Sequence, residues 1–147
     1  MPSLYPISVR DELWACLEGC TDSGRTSLEL PRLLGGCFVR YIRPAAFSAM
    51  RSVETARIHG GIESVPAGAF SGCLSLRELT VEEGVRSLGV MAFSFCMALQ
   101  DVTLPASLTY IPDNAFPEGC SAVFRVPKES EAERYCLEKG FKVAYTE

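Results

Sequence analysis

Apolar residues recur in this chain at a long, fixed interval. Ala-Phe pairs stand at Ala46-Phe47, Ala69-Phe70, Ala92-Phe93 and Ala115-Phe116, so successive phenylalanines are 23 residues apart. Other columns keep the same register. Met50, Cys73 and Cys96 each follow a phenylalanine by three residues, and Cys120 follows Phe116 one residue late. Then come Val53, Leu76 and Leu99; Ala56, Leu79 and Val102; and Ile58, Val81 and Leu104, with Phe124 and Val126 filling the last two columns of the fourth copy. Ile62, Val85 and Leu108 form a further column, and Ile42, Val65, Leu88 and Ile111 another. A repeat of this length is the signature of a solenoid, in which one copy cannot bury its apolar side alone and stacked copies share a continuous core.

The pattern changes within each copy. Leu79-Thr80-Val81 and Val102-Thr103-Leu104 alternate apolar and polar residues, which predicts a strand. Val85-Arg86-Ser87-Leu88 and Leu108-Thr109-Tyr110-Ile111 predict a second, shorter strand, and the Ala-Phe segment up to the cysteine a compact helical turn. A broken earlier copy precedes these, since Leu28-Glu29-Leu30-Pro31 matches Val102-Thr103-Leu104-Pro105. Pro31 lies 16 residues before Phe47 whereas Pro105 lies 11 before Phe116, so segment 32–46 carries about five extra residues. A loop bulging from the solenoid is expected there, turning at Gly35-Gly36.

Both ends read as caps, which terminal rungs require. Ser8-Val9-Arg10-Asp11 resembles a capping box, and Val9, Leu13, Cys16, Leu17 and Cys20 fall on one helical face, so a helix is expected within 1–24. Ser130-Glu131-Ala132-Glu133 is a second box, with Gly140 placed to end its helix and Phe141–Tyr145 to form a closing strand. The expected organisation is a single domain: an N-terminal helical cap over 1–24, about five repeats over 25–127 and a C-terminal cap over 128–147.

Val65-Pro66-Ala67-Gly68-Ala69-Phe70-Ser71-Gly72-Cys73-Leu74-Ser75-Leu76-Arg77-Glu78-Leu79-Thr80-Val81 closely resembles the unit of the BspA-type leucine-rich repeats. Leu88-Gly89, Ala92-Phe93-Ser94-Phe95-Cys96, Leu99 and Val102-Thr103-Leu104-Pro105 repeat the match, and Arg125-Val126-Pro127-Lys128 with Tyr135 is similar to the family's terminal unit. The resemblance covers roughly residues 42–145. It implies a leucine-rich-repeat solenoid of the α/β class: a short curved parallel sheet, helical or 3-10 turns on the convex side and helical caps at both ends. It also implies binding of other proteins, and family members are often large, adhesive and at the cell surface.

In such a solenoid the residues between the apolar strand positions point to the concave side. One ladder is then Glu29, Arg57, Thr80, Thr103 and Arg125, beside Thr55, Glu78, Asp101 and Val123. A third, at the strand exits, is Pro31, His59, Glu82, Pro105 and Pro127. The ladders have basic ends and an acidic middle, suiting a complementary partner. Five rungs at strand spacing span roughly 24 Å, which with a ~17 Å strand gives about 400 Å². A standard interface buries about 800 Å² per partner, so the face grips a peptide or loop, or is helped by the insertion near 32–46. Tyr41 and Tyr110 share a column with Ser64 and Ser87 and are expected to be exposed anchors.

Composition narrows the reading. The chain has 147 residues, 48% apolar and 22% charged, a folding composition rather than a disordered one. A net charge of −4 weighs against nucleic acid as main partner. No stretch has the roughly 20 apolar residues of a membrane span, so membrane insertion is not expected. No secretory signal is visible, which places the protein in the cytoplasm if the chain is full length, and at the surface or secreted if it has been trimmed. A monomer or weak oligomer is expected.

The chemistry-bearing residues are sparse. Seven cysteines cannot all pair within one chain. Cys73, Cys96 and Cys120 share a column with Met50, which points to core packing as free thiols. Adjacent rungs lie within reach of a disulfide, so geometry alone allows a Cys96–Cys120 bridge; the odd count and the missing signal argue against it. Cys16 and Cys20 would need further ligands for zinc, and the one histidine, His59, sits at a strand exit where a surface role is expected. Asp101, Glu78 and Glu82 read as a solvated face, not an acid–base pair. The expectation is a non-enzymatic protein-interaction module without metal or cofactor, an inhibitor or adaptor; the alternative is a piece or diverged member of a bacterial surface-adhesion protein. A cysteine-dependent or metal enzyme is the weakest reading.

Overall fold

The computed structural model describes Tyr5, Ile7–Val9, Trp14–Leu17, Gly19, Cys20 and residues 24–146. Each copy of the repeat contributes one strand to a parallel sheet: β3 (Ser27–Glu29), β6 (Thr55–Ile58), β8 (Glu78–Val81), β10 (Asp101–Thr103) and β11 (Val123–Pro127). A closing strand β12 (Lys142–Thr146) joins them, and the six run in the order β12-β11-β10-β8-β6-β3. The register follows the repeat. Leu28, Ala56, Leu79, Val102 and Phe124 pair across the sheet and point into the core. Every rung thus places the same atoms opposite one another, which is why one sequence column becomes one structural ladder.

Short strands β7 (Ser64–Val65) and β9 (Ser87–Leu88) form a second parallel sheet, extended by a bridge from Ser87 to Tyr110. The convex segments make the i→i+3 bonds of 3-10 structure, for example Ala69 N–H to Pro66 and Cys73 N–H to Phe70. They do so as single turns, because left-handed residues such as Gly68 (φ 64°) and Gly72 (φ 76°) interrupt any helix. The turns are tied rung to rung: the N–H groups of Phe47, Phe70 and Phe93 each donate, at 2.8 Å, to the alanine carbonyl before the next phenylalanine.

The phenylalanines form a spine. Rings of Phe47, Phe70, Phe93 and Phe116 stack with centroids 5.2, 5.4 and 5.2 Å apart. Phe116 then meets Phe124 edge-on, and Phe124 stacks on Phe141 at 4.9 Å. Aromatic contacts of this kind add to the burial energy of each ring.

At one place neighbouring backbones touch. A Cβ on Gly60 would stand 1.8 Å from the carbonyl oxygen of Glu83, so only glycine fits where these two turns cross.

The N-terminal cap departs from expectation. Ile7–Val9 is strand β1 and Trp14–Leu17 strand β2, paired antiparallel, where a helix was expected. Arg10 and Asp11 of the expected capping box, and Leu13 of the helical face, lie outside the described residues. The cause is the insertion. It forms a hairpin of β4 (Leu33–Leu34) and β5 (Cys37–Ile42), joined at Gly35 and Gly36 with φ of 59° and 79°. Two consecutive positive φ angles make the tight hairpin turn that glycine favours. β5 then offers an edge on which β2 pairs in parallel, and that pairing overrides the local helical spacing. A register shift between Ala15 and Cys16 goes with the burial of two successive residues, Cys16 and Leu17.

At the other end, helix α1 (Glu131–Lys139) starts at Ser130, whose hydroxyl accepts from Glu133 N–H. It ends at Gly140 in the left-handed conformation. Its buried residues Ala132, Tyr135 and Cys136 cover the last rung.

Candidate functional site

The exposed side of the six-stranded sheet carries the predicted ladders in the predicted register. Thr55 pairs with Glu78 and Glu78 with Asp101; Glu29 pairs with Arg57, Arg57 with Thr80, Thr80 with Thr103 and Thr103 with Arg125. β12 lengthens the face, adding Lys142 beside Val123 and Ala144 beside Arg125.

The charges on this face largely answer one another. Arg32 Nη2 donates to Glu82 Oε1 at 2.7 Å and Arg57 Nη1 to Glu82 Oε2 at 3.0 Å, so two guanidinium groups hold one carboxylate. Arg57 also lies 4.0 Å from Glu29, and Arg125 donates to Asp101 at 3.0 Å. The acidic middle is therefore pinned to the basic ends. Glu82 faces Arg32 and Arg57, and Asp101 faces Arg125. Glu78, exposed at the centre of the face, has no ion-pair partner among the described residues.

His59 corrects an expectation. It does occupy the third ladder, but it is 3% exposed and not a surface residue. Nδ1 accepts from Gly61 N–H at 3.1 Å, which leaves Nε2 to carry the proton and donate to the Pro31 carbonyl at 2.8 Å. Burial depresses its pKa below the ordinary histidine value, and the Arg32 charge adds to the effect. A neutral imidazole thus ties the exit of β3 to the exit of β6. Pro105, in the same ladder, is buried as well.

Tyr41 and Tyr110 are exposed, as expected, but off the six-stranded sheet: Tyr41 stands on β5 of the hairpin and Tyr110 is bridged to Ser87 of the second sheet. Ser64 and Ser87, of the same sequence column, pair between β7 and β9 with their hydroxyls 2.7 Å apart. Tyr41 helps line a groove of about 460 Å³ with Arg40, Ile42, Glu63, Ser64 and Pro66. The predicted residues therefore divide between two surfaces.

Sequence reasoning missed two residues at the rim of the main sheet. Leu33 and Phe38 are cross-strand partners in the hairpin, and both are exposed. With Arg32, Val39, Arg40, His59 and Gly61 they line a pocket of about 320 Å³. The available signal was the Gly35-Gly36 pair, which predicts that the residues flanking it face each other.

The cysteines are free, and Cys73 and Cys96 are fully buried. Their thiols donate to the carbonyls of Phe47 (3.2 Å) and Phe70 (3.1 Å) in the preceding rung. In these two rungs the column residue is both an apolar filler and a donor. Met50 takes the same column in the rung before them. Burial pushes the Cys136 thiol up to about 12 and raises that of Cys120, the opposite of an activated thiolate. Among the described residues, no group of three His, Cys, Asp or Glu side chains is placed to hold a metal ion.

The family model of the BspA type leucine rich repeat region matches residues 26–138 in six copies. This chain belongs to that family. The match runs past residue 127 into the C-terminal segment. Solved structures agree on the fold. A leucine-rich repeat protein from Bacteroides capillosus superposes with a TM-score of 0.71 at 22% identity, covering 79% of this chain and 90% of that one. A leucine rich repeat protein of T. pallidum gives 0.63 at 20% identity over 85% of this chain and 70% of that one. A leucine rich cell surface protein from Faecalibacterium prausnitzii gives 0.66 at 20% identity; 89% of this chain is covered but only 41% of that one. No curated protein sequence matches the chain. Among the described residues, no helix is long and apolar enough to cross a membrane.

Proposed function

We propose that this chain is a non-enzymatic binding module that holds a protein or peptide across the exposed side of the six-stranded sheet, with the 33–42 hairpin as one wall. One observation carries the reading. The hairpin sets the exposed apolar pair Leu33 and Phe38 beside Arg32, whose guanidinium reaches Glu82 on the sheet. An apolar anchor next to a polar, charge-balanced ladder is the anatomy of a recognition surface. The contact residues in this reading are Glu29, Thr55, Arg57, Glu78, Thr80, Glu82, Asp101, Thr103 and Arg125. His59 supports them from below. Tyr41, on the hairpin, and Tyr110, beside the second sheet, would serve a partner large enough to reach past the main sheet. An inhibitor or adaptor would use the face in this way.

The test is a quantitative pull-down with the full chain. Partners retained by the wild type should be lost from the Arg57→Glu/Thr80→Glu/Arg125→Glu variant and from Leu33→Asp/Phe38→Asp. If both variants retain every partner, the concave reading fails.

A second reading is favoured by the cell-surface protein from Faecalibacterium prausnitzii, of which this chain spans 41%. In it the chain is one stretch of a longer adhesive array. Fractionation of native cells separates the two: a protease-accessible surface pool supports adhesion, and a protected soluble pool supports the adaptor.

A further inference from the structure

The chain has one histidine, and it is built in as a structural part. His59 is buried and uses its two ring nitrogens in opposite senses. Nε2–H donates to the Pro31 carbonyl at 2.8 Å, at the exit of β3, and Nδ1 accepts from Gly61 N–H at 3.1 Å, in the turn that follows β6. Three segments meet at this ring. β3 is a three-residue strand at the end of the six-stranded order, paired to β6. The segment that leaves it is bonded to the hairpin, where Val39 N–H donates to the Arg32 carbonyl at 2.9 Å. The Gly61 turn abuts the hairpin as well, since a Cβ on Gly61 would stand 3.5 Å from the Val39 carbonyl oxygen. His59 therefore joins the opening strand, the next rung and the wall that carries Leu33 and Phe38, and it lines one pocket with those two side chains.

We propose that His59 is a proton-operated latch: a proton taken up at Nδ1 unlocks the exit of β3 and the hairpin wall while the regular rungs stay closed. The hydrogen bonds dictate the outcome. A protonated Nδ1 is a donor that points at Gly61 N–H, another donor, so the Gly61 amide loses its acceptor and the turn must rearrange. The new charge also sits in a buried ring among guanidinium groups. Arg32 follows β3, Arg40 lies on β5 and lines the same pocket, and Arg57 stands two residues before the ring on β6. Glu82, after β8, is the carboxylate that faces the ring, and it is already held by Arg32 at 2.7 Å and Arg57 at 3.0 Å. Burial and the Arg32 charge depress the pKa, against the Pro31 carbonyl and Glu82, so the charged form is favoured where the ring has left its site. As pH falls below 6.5, the open form with its ordinary histidine gains on the closed form by up to about tenfold per pH unit, until the folded pKa is reached. The response is local for two reasons. β8, β10 and β11 are flanked by strands on both sides, whereas β3 is short and terminal, which places it at the low end of local stability. The regular rungs also carry no second histidine to respond. Acid would thus loosen one wall of the binding face; that consequence rests on the binding reading above, whereas the latch does not.

The test is amide exchange of the full chain by NMR at pH 7 and pH 5.5, with each rate divided by that of an unfolded amide at the same pH. Four amides report the latch: Leu30, Val39, Gly61 and Ile62, bonded to the Arg57 carbonyl, the Arg32 carbonyl, Nδ1 and the His59 carbonyl. Their protection should fall roughly threefold to eightfold between the two pH values. Protection of Phe70, Phe93 and Leu104, bonded between regular rungs, should stay unchanged. His59→Gln keeps a donor for Pro31 and an acceptor for Gly61 but does not titrate, so it should abolish the pH dependence whatever its protection at pH 7. Equal protection of the four amides at both pH values overturns the proposal, and so does a fall that His59→Gln retains. A parallel fall at Phe70, Phe93 and Leu104 also overturns it, since acid would then unfold the chain as a whole. The wild-type ring gives a readout that needs no variant. Its nitrogen shifts should report the Nε2–H tautomer at pH 7 and a titration midpoint below 6.5; a midpoint at or above 6.5 would sink the idea. Loss of protection at the four amides in a chain that captures no partner would count against the binding face and leave the latch standing.

Discussion

The rungs around Phe70 and Phe93 differ from the opening rung between β3 and Phe47 in how their contacts arise. In the regular rungs, bonds repeat with the period. Ser64 meets Ser87, Ser71 meets Ser94, and Cys73 and Cys96 each reach the phenylalanine carbonyl of the rung before. Stability there is a sum of near-identical neighbour terms. In the opening rung the contacts are single events unrelated to the period. His59 reaches Pro31, Arg32 reaches Glu82 from 50 positions away, and β2 adds to a hairpin with no counterpart elsewhere. Repetition makes a scaffold in which each contact is one of several copies. Breaking it yields contacts without copies, and the hairpin pocket forms among them.

The largest effect should come from the middle of the spine. Phe93→Ala removes a ring stacked on both sides and fully buried, and should cost about 3–5 kcal/mol in urea unfolding. A loss under ~1 kcal/mol would show that the spine contributes little and would erase the contrast with the opening rung. Gly60→Ala should cost about 1–3 kcal/mol, since the new methyl meets the Glu83 carbonyl, a backbone atom that cannot swing aside. A neutral outcome would mean that the turns slide past one another freely.

His59 sharpens the comparison through pH. The folded chain holds its pKa below 6.5, so as pH falls past 6.5 the unfolded chain takes up a proton that the folded chain refuses. Stability is complete above that point and declines below it, by up to ~1.4 kcal/mol per pH unit, until the folded pKa is reached. His59→Gln should remove this slope in denaturation curves measured between pH 7 and 5; an unchanged slope would assign it to other groups. The smallest effect should be Asp101→Asn. The exposed pair with Arg125 contributes under ~1 kcal/mol to stability, so any larger shift in the urea midpoint would contradict the surface character of that contact.

The regular part of the fold was legible because a structural ladder and a sequence column are the same information at a period of 23. The register of Thr55, Glu78 and Asp101, and of Arg57, Thr80 and Thr103, could be read without coordinates. The N-terminal strand could not. Val9, Leu13, Cys16, Leu17 and Cys20 fit a helical face, and the edge that turns Trp14–Leu17 into a strand belongs to an insertion that the repeat does not predict. His59 was misplaced for a related reason. Its column mixes half-buried Pro31 and Glu82 with buried Pro105, so the column sets no level of burial, and the histidine packs beside the hairpin pocket. The exposed Leu33 and Phe38 were hidden in the same way: a column predicts burial only where a column exists.

The spacing of the phenylalanine rings also fixes how the solenoid bends. Strands in a sheet lie about 4.8 Å apart, whereas the rings behind them are 5.2 to 5.4 Å apart. Across a core of roughly 10 Å, that half-ångström excess tapers each rung by at most about 3°. Five such steps turn the axis by only about 15°, so the exposed face of the six-stranded sheet is a shallow arc closer to a plank than to a horseshoe. Such an arc gains reach by adding rungs and not by closing around its target, and each duplicated or lost unit of 23 residues would change the length of its footprint in steps of one strand.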